Sequence, residues 1–182
     1  MEILDETVSE EGPFTAILGF SQGAATVLVY LGHSQKDYGE QPFERAVMIS
    51  GYIERTHEGI YDELIEGQSP YGGVPSLHWI GLNDNVITPS QSYRASKMFT
   101  DPYLVVDEAG AHEVPTKGTS GFDDIVAFLR GDACQDTTVF YERDPKKSCA
   151  WVREDLTERC SLVWTGKPLS EYCLKSCGTC TD

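Results

Sequence analysis

Residues 1–133 contain no cysteine, and no part of the chain holds a long unbroken run of apolar residues. A transmembrane helix needs about 18 consecutive apolar residues, so no membrane span is predicted. The opening residues, MEILDETVSEEG, lack both the basic start and the apolar centre of a signal peptide. We therefore expect no signal peptide at this end of the sequence.

Basic residues are scarce as well. The 182 residues include 14 Lys and Arg against 29 Asp and Glu, which gives a formal net charge of −15. A surface this acidic repels a phosphate backbone, so nucleic acid is not expected as a partner. The simplest interpretation of the acidity is that it favours solubility.

All six cysteines lie within residues 134–180. This change in composition predicts a domain boundary near residues 129–134. An even number of cysteines in a short segment is typical of a disulfide framework, although spacing alone leaves the pairing open. A zinc site at Cys177 and Cys180 is the alternative, but zinc sites usually have two close cysteine pairs or histidine ligands, and no histidine follows His112.

Apolar runs alternate with helical patterns from residue 15 to residue 130. Four runs are predicted as short buried strands: residues 15–20, 45–51, 76–82 and 102–108. Three segments carry apolar residues at helical spacing: residues 23–32, 90–99 and 120–129. Alternation of strand and helix predicts an α/β fold in which helices cover a parallel sheet.

The segment Gly19-Phe20-Ser21-Gln22-Gly23 fits the G-x-S-x-G pattern of a nucleophile elbow. In such an elbow the serine occupies a strained turn between a strand and a helix, and small flanking residues let these elements approach each other. The pattern alone is weak, because small residues also suit an ordinary tight turn. Its place between a predicted strand and a predicted helix makes Ser21 the candidate nucleophile and the N–H of Gln22 a candidate oxyanion donor.

A serine nucleophile requires a base and a carboxylate that orients the base. Asp84 follows the third predicted strand and His112 follows the fourth, at the same edge of the sheet as Ser21 and in the order that this architecture requires. Each residue alone has an ordinary explanation, Asp84 as a turn former and His112 as an exposed loop residue. Together with Ser21 they predict a catalytic triad.

Other residues of the same types fit the triad less well. His78 lies inside a predicted strand and His33 at the end of a predicted helix, which favours structural roles. His57 precedes the candidate aspartate and so breaks the expected order. Asp107 and Glu108 are alternative orienting residues, but they lie too near the candidate histidine in sequence to face it easily.

The segments GPFTAILGFSQGAA, GLNDNVITPSQS and GAHEVP resemble the FSH family of serine hydrolases, small α/β-hydrolases related to carboxylesterases. The resemblance covers residues 1–131 and carries the family's triad onto Ser21, Asp84 and His112. It implies a parallel-sheet α/β-hydrolase core that cleaves esters or thioesters of small or medium acyl groups. No cofactor is implied, because side chains can fill every role.

Residues 134–180 resemble a ShKT domain, the sea-anemone toxin-like cystine module, through CQD, CAWV and CLKSCGTC. The resemblance implies a small disulfide-rich domain with three pairs: Cys134–Cys180, Cys149–Cys173 and Cys160–Cys177. It does not extend to channel block, because Lys167 and Tyr172 are separated here, whereas the toxins have an adjacent Lys-Tyr pair. The sequence identifies no protein partner for this tail.

FSH relatives begin with strands and a His-Gly segment that have no counterpart before residue 15 here. The hydrolase core therefore resembles an N-terminally truncated one, with residues 16–20 as a bare apolar edge strand, and we expect the chain to be a piece of a longer hydrolase. Paired cysteines indicate the secretory pathway or the cell exterior, whereas the FSH resemblance indicates the cytoplasm. The localisation stays open.

Two functions fit these patterns. One is a serine hydrolase that acts on a small acyl ester or thioester. The other is a non-catalytic secreted binding protein that engages a partner through the cystine tail. The intact triad motifs favour the hydrolase.

Overall fold

The computed structural model describes residues 2–39, 41–55, 71, 73–99, 102–119, 121–131, 147, 149–164 and 166–178. Contacts within the chain divide it into two compact units, Met1–Ile125 and Val126–Asp182. The assignment of residues 1–131 and 134–180 to two named domains stays a prediction.

Strands and helices alternate in the first part of the chain. In chain order they are α1 (Glu2–Glu11), β1 (Ala16–Phe20), α2 (Gln22–Tyr38), β2 (Arg45–Ile49), β3 (Ser76–Gly81), α3 (Pro89–Ser96), β4 (Tyr103–Asp107) and α4 (Phe122–Arg130). The predicted α/β class is confirmed, because each of the four predicted strands forms.

The four strands make one parallel sheet in the order β1-β2-β3-β4. Every residue of β3 is buried, as are the last four residues of β2. Continuous apolar strands of this kind suit a sheet that is covered on both faces. Because all four strands are parallel, their carboxyl ends meet at one edge, and the candidate site residues follow three of these ends.

Helix α2 packs against β1 and β2 and supplies much of the core. Its residues Ala24, Leu28 and Leu31 are fully buried. The helix ends at Gly39, whose φ of 72° is the left-handed conformation that glycine adopts at little cost. The buried residues anchor helix α2 in the core, and its first residue, Gln22, directly follows Ser21.

Strand β1 lies at one end of the sheet in the described part of the chain. Its central residue, Leu18, is 48 % exposed, whereas its neighbour across the sheet, Val47, is fully buried. A strand at the edge of a sheet presents unpaired backbone N–H and C=O groups, and an exposed apolar side chain on it favours pairing with another strand. Leu18 is thus an exposed apolar residue on β1, and the expectation of a truncated core stays a prediction.

The second unit is small and held together by cystines. Besides the end of α4, its described elements are α5 (Cys149–Arg153), α6 (Leu156–Arg159), β5 (Val163–Trp164), β6 (Lys167–Pro168), a 3-10 helix (Leu169–Glu171) and α7 (Leu174–Cys177). Disulfides join Cys149 to Cys173 and Cys160 to Cys177, so two of the implied pairs are confirmed. The third pair, Cys134–Cys180, lies outside the described residues.

A compact core surrounds these two disulfides. Val152, Leu169 and Cys173 are fully buried, and Trp151 and Trp164 pack around them. Strands β5 and β6 pair in the antiparallel direction next to this core. A core this small depends on its cross-links, because so few apolar side chains cannot offset the entropy of ordering the segment.

Candidate active site

Ser21 lies in the turn that joins β1 to α2. Its backbone has φ 53° and ψ −119°, a combination that residues with a side chain rarely adopt unless their surroundings impose it. Its N–H donates to the carbonyl of Ile49 at 2.9 Å, and its carbonyl accepts from the N–H of Ala25 at 3.1 Å. Strand β2 and the first turn of α2 thus hold the strained turn in place.

The two glycines of the elbow differ in their surroundings. A Cβ on Gly19 would lie 2.4 Å from the carbonyl oxygen of Gly23, so β1 and α2 can approach this closely only with glycine at position 19. A Cβ on Gly23 would meet no described atom within 4 Å. The prediction that close approach requires small residues on both sides of Ser21 is therefore right for Gly19 and wrong for Gly23.

Gln22 is the first residue of α2. The N–H groups in the first turn of a helix have no acceptor within the helix, and the positive end of the helix dipole lies there. An oxygen that became negative beside Ser21 would lie at this end of the 17-residue helix. The location suits the oxyanion donor predicted at Gln22.

Asp84 lies in the turn after β3 and is only 3 % exposed. Its Oδ1 accepts hydrogen bonds from the N–H groups of Val86 at 2.9 Å and Ile87 at 2.8 Å. These bonds make Asp84 a turn former, which is the ordinary role considered from the sequence. They also fix the carboxylate plane, so the second oxygen, Oδ2, has one direction in which to point.

His112 lies in the loop after β4, and its Nδ1 is 2.8 Å from Oδ2 of Asp84. The ring of Phe20, the residue before Ser21, lies 4.8 Å from the His112 ring between centroids. An ionised carboxylate can only accept a hydrogen bond, so Nδ1 carries the proton in the neutral imidazole. This tautomer leaves Nε2 free to accept a proton.

Backbone contacts hold the loop that carries His112 against the end of β3. The N–H of Asn83 donates to the carbonyl of Gly110 at 2.9 Å. One carboxylate oxygen of Asp107 accepts from the N–H groups of Ala109 and Gly110, each at 3.0 Å. Asp107 therefore stabilises the turn before His112, and Asp84 is the carboxylate that contacts the imidazole.

The pKa of the Asp84 carboxyl reflects opposing influences. Burial is the largest of them and raises this pKa. Hydrogen bonds from His112 and from the N–H groups of Ile87 and Val86, together with an interaction with Ser50, lower it and outweigh burial. The pKa of Asp84 is thus below its usual value, so the carboxylate is ionised at neutral pH.

Of the three predicted triad residues, the structure joins Asp84 and His112 directly. In the described part of the chain no hydrogen bond joins the Ser21 hydroxyl to His112. Ser21 is linked to the histidine through Phe20, whose ring contacts the imidazole. Catalytic hydrogen bonds are often long or poorly aligned when no substrate is bound, and they tighten in the complex with substrate.

The other histidines have structural surroundings. His78 is 1 % exposed in β3, its Nε2 lies 3.2 Å from Ser76 Oγ, and burial lowers its pKa to about 3, so it is neutral at ordinary pH. His33 lies in α2 with its Nδ1 3.5 Å from a carboxylate oxygen of Asp37. The alternative base, His57, lies outside the described residues.

Sequence reasoning missed one residue at this edge. Ser50 follows β2, is 1 % exposed, and has φ 49°. It is followed by Gly51 but belongs to no catalytic pattern, so the sequence carried no signal for it.

Neither a metal site nor a membrane-crossing element occurs in what the structure describes. No group of three or more His, Cys, Asp or Glu side chains there is placed to hold a metal ion. Among the same residues, none of the helices combines the length and the apolar character needed to cross a bilayer.

Comparison with known proteins adds to this geometry. Residues 1–120 match the family described as serine hydrolase (FSH1). Esterase OVCA2 of Xenopus tropicalis is 33 % identical over 117 residues, which are 63 % of this chain and 47 % of that protein. Esterase OVCA2 of Danio rerio is 34 % identical over 116 residues, 63 % of this chain and 49 % of that protein. The chain thus spans about half the length of these relatives.

A solved structure shares the fold. Zea mays acyl-protein thioesterase 2 superimposes with a TM-score of 0.56 over 72 % of this chain and 62 % of that one, at 19 % sequence identity. At this identity the match concerns the architecture alone, which is the parallel-sheet α/β fold.

Proposed function

Because the chain belongs to the FSH1 serine hydrolase family, we propose that it hydrolyses carboxylic esters or thioesters with Ser21, His112 and Asp84 as its triad. The observation that carries the proposal is the 2.8 Å hydrogen bond between His112 Nδ1 and Asp84 Oδ2. A buried, ionised carboxylate on an imidazole, beside a strained serine at the same sheet edge, is the arrangement that activates a hydroxyl.

The reaction follows from the roles of these three side chains. Ser21 Oγ attacks the carbonyl carbon of the substrate while Nε2 of His112 takes the hydroxyl proton. His112 then donates this proton to the leaving alcohol or thiol, and an acyl group remains on Ser21. Water, deprotonated by Nε2, attacks this acyl-enzyme and releases the acid, and the serine regains its proton.

Asp84 and Gln22 support this chemistry electrostatically. Asp84 holds the imidazole in the tautomer with the proton on Nδ1 and stabilises the imidazolium that forms during the reaction. The N–H of Gln22, at the start of α2, donates to the oxyanion of the tetrahedral intermediate. Loss of one such donor costs about 10²–10³ in rate, so the geometry of this helix start is part of the proposed catalytic machinery.

The substrate class is proposed from the relatives. The OVCA2 proteins of Xenopus tropicalis and Danio rerio are named esterases, and the solved protein that shares the fold is named an acyl-protein thioesterase. Esters and thioesters share a carbonyl carbon with an oxygen or sulfur leaving group, and the same triad serves both. A small acyl ester or thioester is therefore the proposed substrate of this chain.

Hydrolysis of p-nitrophenyl acetate and of a short-chain thioester by the purified chain tests this function. We expect Ser21→Ala to abolish hydrolysis, and Asp84→Asn to reduce kcat by about four orders of magnitude, because an amide favours the wrong imidazole tautomer. Ser9→Ala, at an exposed serine of α1, is the matched control and should hydrolyse at the unchanged rate. Hydrolysis that persists in Ser21→Ala would contradict the assignment.

A second candidate function concerns the cystine tail. The disulfides Cys149–Cys173 and Cys160–Cys177 are two of the three pairs that the ShKT resemblance implies, which supports the proposal that the tail is a ShKT-like module. Peptide mapping without reduction should then find Cys134 linked to Cys180. Finding either cysteine reduced, or linked elsewhere, would remove the basis for the ShKT assignment.

A further inference from the structure

Ser50 lies between the candidate nucleophile and its orienting carboxylate in the order of the sheet. Ser21 follows β1, Ser50 follows β2, and Asp84 follows the turn at the end of β3. The carbonyl of Ile49, the residue before Ser50, accepts a hydrogen bond from the N–H of Ser21 at 2.9 Å. The N–H of Ser50 donates to the carbonyl of Trp79 at 3.1 Å. Ser50 is therefore tied by its backbone to both neighbouring strands.

The backbone of Ser50 is in an unfavourable conformation. Among the described residues, Ser21 and Ser50 are the non-glycine residues with positive φ, at 53° and 49°. Glycine adopts such a conformation without strain, whereas a residue with a Cβ pays an energetic cost. Strained conformations of this kind cluster at functional sites, where the surrounding structure imposes them. The presence of serine rather than glycine at this strained position indicates a structural or functional role for the Ser50 side chain.

The hydroxyl of Ser50 is buried and polar. The residue is 1 % exposed, which excludes it as a nucleophile for a substrate from solution. Within the described part of the chain its Oγ has no hydrogen-bond partner, and Ser50 is among the groups that lower the pKa of the Asp84 carboxyl. A buried hydroxyl without a partner is costly, so it will turn its proton to the nearest acceptor.

The Asp84 carboxylate has one lone-pair position that can accept a hydrogen bond from such a donor. A carboxylate offers about four lone-pair positions, two on each oxygen. Oδ1 accepts from the N–H groups of Val86 and Ile87, and Oδ2 accepts from His112. One position therefore remains on Oδ2, the oxygen that holds the imidazole.

We propose that Ser50 is a positioning residue whose hydroxyl donates to Oδ2 of Asp84 and so holds this oxygen toward His112. The proposal rests on the proposed function, because it matters for catalysis only if the Asp84–His112 pair serves Ser21. Ser50 itself touches neither substrate nor the reacting atoms.

The titration of the Asp84 carboxyl, followed by ¹³C NMR in the full chain without substrate, tests this proposal. Removal of a donor to the ionised form raises a carboxyl pKa, so in Ser50→Ala and in Ser50→Gly the midpoint should move to higher pH. The two variants separate the effect of losing the hydroxyl from the effect of backbone strain, because glycine relieves the positive φ and alanine does not. Ser92→Ala, at another buried serine, should leave the midpoint unchanged.

The outcomes separate the proposal from the function it rests on. An unchanged midpoint in Ser50→Gly would overturn the role of the hydroxyl, even if Ser50→Ala failed to fold. As a second readout, the rate at which a fluorophosphonate probe modifies the chain should fall about tenfold in Ser50→Gly, the effect of about one lost hydrogen bond. Probe reaction that persists in Ser21→Ala would instead contradict the proposed triad. The Asp84 titration would still test whether the Ser50 hydroxyl lowers the pKa of that carboxyl.

Discussion

Gly19 is the residue at which the backbone of β1 touches the backbone of α2. A Cβ there would lie 2.4 Å from the Gly23 carbonyl oxygen and 2.6 Å from the Ala24 nitrogen. Because both neighbours are backbone atoms, neither can rotate away. We predict that Gly19→Ala lowers the free energy of unfolding by about 1–3 kcal/mol, the usual cost of overpacking, and displaces the turn that holds Ser21.

Gly23→Ala is the matched control for this prediction. A Cβ at Gly23 meets no described atom within 4 Å, and alanine is favoured over glycine inside a helix by about 1 kcal/mol. Urea unfolding should therefore show equal or higher stability for Gly23→Ala and lower stability for Gly19→Ala. Equal losses in both variants would show that close approach at Gly19 is not the cause.

The sequence predicted Asp84 and His112 but missed Ser50, for a physical reason. The order of serine, aspartate and histidine after successive strands is a property of the chain, so short segments reveal it. The role proposed for Ser50 depends on β2 lying between β1 and β3 and on a φ of 49°. Neither property is encoded in a short pattern such as Ser-Gly.

At the scale of elements, buried parallel strands were the easiest to predict. The run predicted at residues 15–20 forms Ala16–Phe20, and the run at 76–82 forms Ser76–Gly81. Helix ends were harder. The helix predicted over residues 90–99 is longer than the observed α3, which ends at Ser96. Met98 and Phe99 lie in a turn after the helix, and their side chains are still buried in the core, so they extend the apolar pattern.

Strand β1 gives a prediction about association. An exposed apolar edge strand is a template for pairing with another chain, and a lysine on it opposes pairing. Leu18 is 48 % exposed on β1, so Leu18→Lys should cost little stability. We expect sedimentation velocity to show less self-association for this variant than for the unmodified chain.

Leu82→Lys is the control for the edge, because Leu82 is 42 % exposed but lies after β3, outside the strand. If apolar exposure in general caused association, the two lysine variants would behave alike. Equal sedimentation of Leu18→Lys and Leu82→Lys would therefore contradict a specific role for β1.

At the scale of the whole molecule, composition separated two regions that differ in what stabilises them. The cysteine-free region has a parallel sheet and an apolar core, and the cysteine-rich region has a small core around Cys149–Cys173 and Cys160–Cys177. Spacing alone could not choose these pairs, because pairing depends on which cysteines the fold brings together. The ShKT resemblance supplied both of them.

Stability of the molecule is predicted to fall on acidification below about pH 6.5. Burial in β3 lowers the pKa of His78 from 6.5 to about 3, so between these values the unfolded chain binds a proton that the folded chain does not. The free energy of unfolding therefore rises with pH across this window, by up to about 1.4 kcal/mol per pH unit. The lowered pKa of Asp84 acts in the same direction but only below its usual value of 3.8.

His78→Gln tests this source of pH dependence, because glutamine is polar and does not titrate. Denaturant unfolding between about pH 4 and pH 6 should show a shallower dependence of stability on pH for this variant. An unchanged slope would mean that His78 is not the group responsible.

Mass spectrometry after reaction with a fluorophosphonate probe tests the Ser21, His112 and Asp84 triad most directly. The probe forms a stable bond with an activated serine, so the modified residue identifies the nucleophile. We predict one adduct, on the peptide that contains Ser21. An adduct on a different serine, or none on a folded chain, would contradict the proposed triad.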